Sequence, residues 1–259
     1  MDKTKILFVG AHHEEIEAEC PNLAVSLVEA GCDVTVLDPV GGWNCPWVRA
    51  LGEDARERIL ANSAAAAEEL GVRKVVWDYP VSGLENHRAE LTVRLADLVL
   101  ELNPEIVFMH WPKDCHADHR FIAGVTARVL QSAPGISEKT VPDYRMAKEI
   151  YAFQTGVGQA YDFTPDLLVK TTPETMRRAD RAIDCFSSTH KDTAFWKASF
   201  HAKAAYWANH TPDRTPAEAL KFLGPKLPLD GFLLKKILGE LVDPAPFDRL
   251  FYNPVFQFA

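Results

Sequence analysis

The chain has 259 residues, 47% of them apolar, enough to bury a substantial core without disulfide staples. Its formal net charge of −8 speaks against nucleic acid or an anionic membrane surface as partner, since both call for a basic patch. The five cysteines are odd in number and irregularly spaced, with no CxxC pair, so neither a zinc ribbon nor a redox dithiol is supported, and scattered thiols point to a reducing, cytoplasmic setting. No apolar run is long enough for a membrane span or a signal-peptide core.

Residues 5–11 (KILFVGA) form a nearly continuous apolar run, the pattern of a strand buried on both faces. Residues 14–30 follow with helical spacing of Ala18, Leu23, Ala24, Leu27 and Val28, and Gly31 ends them. Residues 33–40 read as a second strand. A helix is expected over 49–70, a third strand over 74–79, a helix over 88–102, a fourth strand over 105–110 and a helix over 119–131. Residues 149–155 and 167–170 read as two further strands, and 173–187 and 195–208 as helices. Strands alternating with helices imply an α/β fold: a Rossmann-like, mostly parallel sheet with helices on both faces. The first turn lacks GxGxxG, which argues against a nucleotide cofactor. Beyond this, prolines break the chain repeatedly, and the aromatic segment from Pro244 to the end is a candidate for packing on the body or on a second subunit. One domain over 1–259 is expected, with a core of about 5–222 and a C-terminal extension of about 223–259.

In open α/β sheets, ligand sites form beyond the carboxyl ends of the strands. Two such ends are dense in donor groups. After the first strand comes His12-His13-Glu14-Glu15, and after the fourth comes His110-Trp111-Pro112-Lys113-Asp114-Cys115-His116-Ala117-Asp118-His119. A 3-2-1-4-5 strand order would bring the two together. Two imidazoles and a carboxylate with open positions describe a catalytic zinc site, and equally the facial triad of non-haem Fe(II). A divalent metal lowers the pKa of a bound water to about 7, and a second carboxylate can take its proton. Either cluster alone is matched by ordinary surface histidines; their joint occurrence at two strand ends is what carries the reading.

These clusters resemble the signatures of the LmbE-like, or PIG-L, family of metal-dependent N-deacetylases. Ala11-His12-His13-Glu14-Glu15-Ile16 stands where that family has A-H-P-D-D-E. Pro112, Asp114, His116, Asp118, His119 and Arg120 match P-x-D-x-H-x-D-H-R throughout. Further likenesses run to about Phe222, including Ala217-Glu218-Ala219. The resemblance implies His12, Glu15 and His119 as ligands of one divalent metal, zinc in first place and Fe(II) as the alternative. It implies Glu14 as general base, His116 as the group that polarises the carbonyl or protonates the amine, and Asp118 as the carboxylate that orients a histidine. The implied reaction is hydrolysis of an N-acyl, chiefly N-acetyl, group on a sugar or sugar conjugate, and relatives commonly self-associate.

The chain departs from the pattern at three places. Glu-Glu replaces Asp-Asp, adding roughly 1.5 Å of reach to each carboxylate. His13 replaces a proline, and Ile16 replaces an acidic residue. These departures favour metal binding over efficient deacetylation and motivate an alternative, a non-catalytic metal or small-ligand binding module on the same scaffold. His13, Asp114, Arg88 and Trp111 are candidate substrate contacts; loop shaping is the other reading of Asp114, and a surface arginine at a helix start the other reading of Arg88. For His13 the plainer reading is a loop-packing histidine, and a fourth metal ligand is the other. Trp43 and Trp47 are candidate stacking platforms for a sugar. His110 is read as a satisfied buried histidine, Cys115 as a spectator, and His190, His201 and His210 as structural or exposed.

Overall fold

The computed structural model describes residues 3–42, 45–156, 158–225 and 231–245, apart from the side chain of Trp47. Trp43, the Trp47 side chain and most of the aromatic C-terminal segment lie outside the described residues. β1 (Lys5–Val9), β2 (Asp33–Val40), β3 (Arg73–Tyr79), β4 (Ile106–His110) and β5 (Glu149–Phe153) pair in parallel in the order β3-β2-β1-β4-β5. β7 (Ala217–Gly224), β6 (Leu167–Lys170) and β8 (Val242–Pro244) extend that edge antiparallel, completing eight strands.

The apolar runs are continuous because both faces of the sheet are covered. Successive side chains point to opposite faces. Ile6, Phe8, Val34, Val36, Ile106 and Phe108 enter one core with Leu23 and Leu27 of α2 (Pro21–Glu29) and Ala182 of α7 (Pro173–Asp184). Leu7, Val9, Leu37, Val107 and Met109 enter the other core. There they meet Leu91, Leu95 and Val99 of α5 (Arg88–Leu102) and Ile122, Val125 and Val129 of α6 (Ala117–Ile136). Phe8 stacks on Phe108 with ring centroids 4.6 Å apart, and Phe108 on Tyr151 at 5.5 Å, so an aromatic row runs across the three central strands.

Three expectations change. The helix expected over 14–30 is two, α1 (Glu15–Glu19) and α2, because Pro21 has no N–H to continue the first and instead opens the second at its first position. The helix expected over 49–70 is likewise α3 (Pro46–Arg49) and α4 (Ala55–Leu70), parted where Gly52 takes φ +110°. β7 and β8 were not anticipated. Val242 of β8 pairs with Val169, so part of the expected extension closes a sheet edge. α8 (Thr193–Ala208) packs against β7.

Glu218 shows why β7 belongs where it is. Pro21 has no N–H, so the first free donors of α2 are Asn22 and Leu23. Glu218 accepts from Asn22 N at 2.9 Å and from Leu23 N at 2.8 Å, one on each carboxylate oxygen, while 2% exposed. Glu218→Ala strands both buried donors. It is expected to cost about 2–4 kcal/mol, read as an earlier midpoint in denaturant unfolding. An unchanged midpoint would mean that water replaces the carboxylate.

Candidate functional site

Because β1 and β4 are neighbours, the loops leaving them meet at one end of the sheet. The backbone turns at Gly10, where a Cβ would lie 2.2 Å from Asp38 Oδ1; only glycine lets that buried carboxylate sit so close. The chain then folds over the Glu15 side chain. Ala11 N donates to Glu15 Oε2 at 2.6 Å, His12 N at 3.1 Å, and His110 Nε2 lies 2.6 Å from the same oxygen. Oε2 is thereby anchored. Oε1 faces only imidazoles, with His12 Nδ1 at 2.6 Å and His119 Nε2 at 2.5 Å. The added methylene of glutamate is thus absorbed, since the longer arm still reaches both histidines.

The far nitrogens of those histidines face the two aspartates of the second signature. His12 Nε2 lies 3.2 Å from Asp118 Oδ2, which also accepts from Ser82 N at 2.6 Å. His119 Nδ1 lies 3.1 Å from Asp114 Oδ1, whose other oxygen accepts from the Thr155 hydroxyl. Each imidazole therefore sits between an orienting aspartate and the shared Glu15 oxygen. Burial pulls both imidazoles toward neutrality, but the carboxylates prevail: His12 is raised well above the ordinary range by Glu15 and Asp118, and His119 to about 9 by Glu15 and Asp114. Glu15 itself is held well below the usual carboxylate range, the three histidines around it outweighing burial.

A divalent ion fits this set. Two nitrogens and one oxygen converge, the field that favours protons on both imidazoles favours a cation equally, and each imidazole keeps a carboxylate on its other nitrogen. Glu15, His110 and His119 bring donor atoms within 4.8 Å of one another, as do His12, His116 and His119. His116 is the N-cap of α6, its Nδ1 accepting from Asp118 N at 3.2 Å. That bond selects the tautomer with its proton on Nε2.

Glu14 and Glu15 line a cavity of about 540 Å³ with His119, Glu19, Gln159 and, from α8, Phe195, Trp196 and Ser199. Burial is the chief cause of a Glu14 pKa near 7, with the Glu15 charge adding to it and His12 and Lys74 opposing. Glu19 is held by the buried Lys203 ammonium, which also donates to Gln154 O at 2.9 Å.

The remaining expectations divide. Asp114 is 1% exposed and its oxygens serve His119, the His116 N–H and Thr155, so it shapes the loop and aims a histidine rather than facing a ligand. Arg88 pairs with Glu85 at 3.5 Å and lies over the Phe121 ring; Trp111 donates to Tyr161 O at 2.7 Å. Neither lines the cavity. His13 is 2% exposed and turns away from the Glu15 cluster toward Phe186 and His190. Cys115 is exposed. His110, read as merely satisfied, is satisfied by Glu15 and stacks on His119 at 4.1 Å. Phe195 and Trp196 give the cavity an aromatic wall. They sit on a helix far along the chain, and no local motif announces them.

No curated protein matches the chain in sequence. Among solved structures it is similar to the conserved protein TT1542 from Thermus thermophilus (20% identity, TM-score 0.70), covering 88% of this chain and 98% of that one. It is also similar to GalB, the 4-carboxy-2-hydroxymuconate hydratase from Pseudomonas putida (20% identity, TM-score 0.66, the same two coverages). N,N'-diacetylchitobiose deacetylase from Pyrococcus horikoshii is a third (17% identity, TM-score 0.67), with 86% of this chain and 84% of that one covered. The family model of PIG-L, described as GlcNAc-PI de-N-acetylase, matches residues 7–130, the segment that holds both strand-end clusters. Residues 7–130 of this chain are a PIG-L domain of the LmbE-like kind.

Proposed function

We propose that the chain is a metal-dependent hydrolase that removes an N-acyl group, in first place N-acetyl, from a sugar or sugar-conjugate amide. The observation that carries this reading is the single Glu15 oxygen shared by His12 and His119, with Glu14 beside it in the same cavity. The PIG-L match over residues 7–130 and the deacetylase among the similar folds support the substrate class. A divalent ion held by His12, Glu15 and His119, zinc by donor chemistry, would supply Lewis acidity toward a carbonyl and toward water.

The chain's own residues do the rest. Glu14, poised near neutrality, takes the proton from the attacking water and returns it to the departing nitrogen. His116, neutral and carrying its proton on Nε2, donates to the carbonyl oxygen as charge develops there. Asp118 and Asp114 hold His12 and His119 in register. Phe195 and Trp196 offer apolar faces on which a sugar ring can stack, in a cavity sized for a small molecule.

The test is release of acetate from a panel of N-acetyl sugars and conjugates by protein loaded with one equivalent of zinc, with 4-carboxy-2-hydroxymuconate as a counter-substrate. Acetate release is expected. Turnover of the dienoate alone would replace the reading with a hydratase. An ion bound at full occupancy with no turnover of any substrate would leave the binding-module alternative.

A further inference from the structure

His13 stands where the family pattern has proline, and His190 belongs to no motif in the chain. The fold nevertheless buries the two against each other, His13 2% and His190 8% exposed, with ring centroids 5.0 Å apart. Glu14 completes the group: its Oε2 lies 3.2 Å from His13 Nδ1, and each of the three residues offers a donor atom within 4.8 Å of the others. Tetrahedral zinc with bonds of about 2.0–2.1 Å places its ligand atoms roughly 3.3 Å apart, so one pair already has that spacing and the third donor needs only a small side-chain shift.

The surroundings prepare His190 for that role. Its Nδ1 lies 3.0 Å from Thr189 Oγ1, whose own proton goes to Phe186 O at 3.2 Å. Thr189 therefore accepts from His190 Nδ1–H, and the neutral imidazole carries its lone pair on Nε2. Phe186 packs against both imidazoles at 5.9 Å, and Trp196 packs on His190 at 4.9 Å, which fixes both rings. The nearby Lys74 ammonium is engaged by Glu17 at 2.6 Å and Asp38 at 3.2 Å and donates to the His13 carbonyl oxygen at 2.6 Å.

Glu14 and His190 line a second cavity of about 690 Å³ with Leu51 and residues 187–192. Trp196 borders both this cavity and the one containing Glu15 and His119. Glu14 likewise lines both, so an ion can reach it from this second side.

We propose that His13, Glu14 and His190 form a second divalent-cation site, distinct from the His12–Glu15–His119 cluster, whose ion occupies the Glu14 carboxylate and so competes with its use as a base. Imidazole-rich donors with one carboxylate select borderline ions such as Zn²⁺ or Co²⁺ over Mg²⁺ or Ca²⁺. The site does not depend on the catalytic reading, because it would bind an ion whether or not the chain hydrolyses amides.

The experiment is equilibrium dialysis of the metal-stripped full chain against Zn²⁺, with bound metal counted by mass spectrometry. Wild type is expected to hold two ions per chain, His190→Gln and His13→Asn one each, His119→Ala one, and the His119→Ala/His190→Gln pair none. A Co²⁺ titration of wild type, followed by its visible absorption, needs no variant and is expected to saturate in two steps. One ion in wild type with one Co²⁺ step overturns the second site alone. Two ions that persist in both His190→Gln and His13→Asn place the second ion elsewhere and overturn it too. Wild type that binds no ion removes both sites.

Discussion

Glu14→Gln is expected to keep the ion at His12, Glu15 and His119 while lowering turnover by roughly two to four orders of magnitude. Glutamine preserves the shape of the N-cap of α1 and the cavity wall, but it has no site of suitable basicity for a proton. The position suits a base because burial and the neighbouring Glu15 charge lift its carboxyl to about 7, where it can both accept and release a proton near neutral pH. Acetate release and bound metal measured on one preparation check this. A variant that retains most of its turnover removes Glu14 from the proton transfer. One that loses the first-site ion as well shows Glu14 acting on metal affinity instead.

The second large effect is on Glu15. In Glu15→Ala the ion at His12 and His119 is expected to be lost, and the metal-free protein to be destabilised by about 3–5 kcal/mol. The carboxylate is buried and takes two backbone N–H groups and three imidazoles, so its removal orphans the loop that covers it and takes from His12 and His119 the charge they share. For a chain of this size that corresponds to a fall of roughly 6–20 °C in melting temperature. His110→Ala separates the two consequences. It frees only the anchored oxygen and is expected to lose stability while the ion stays. A Glu15→Ala protein that melts like wild type would mean that the loop holds itself without the carboxylate. A preserved ion would mean that Glu15 is not a ligand.

Much of this was legible before any coordinates. The apolar runs at residues 5–11 and 105–110 identified central strands because burial on both faces leaves no room for polar alternation. Two clusters of imidazole and carboxylate stand at strand ends that meet, since the sheet's topology, not the intervening sequence, brings such ends together. The helix expected over 88–102 matches α5 at both ends, where no proline intervenes. The helices expected over 14–30 and 49–70 each divide, because Pro21 and Gly52 interrupt the backbone although the apolar periodicity runs through them.

By itself the sequence determined the α/β alternation, the family's two signatures and the identity of the groups that crowd Glu15, all of which are properties of short stretches of chain. Only the tertiary structure decided which partner each group faces. It gave Asp114 to His119 and Asp118 to His12, and it placed Phe195 and Trp196 on the cavity wall. It also turned His13 away from its neighbour His12 to meet His190. The reason is one of range: periodicity and motif spacing act over a few residues, whereas these pairings join positions many elements apart. Their distances are set by how the helices pack on the two faces of the sheet.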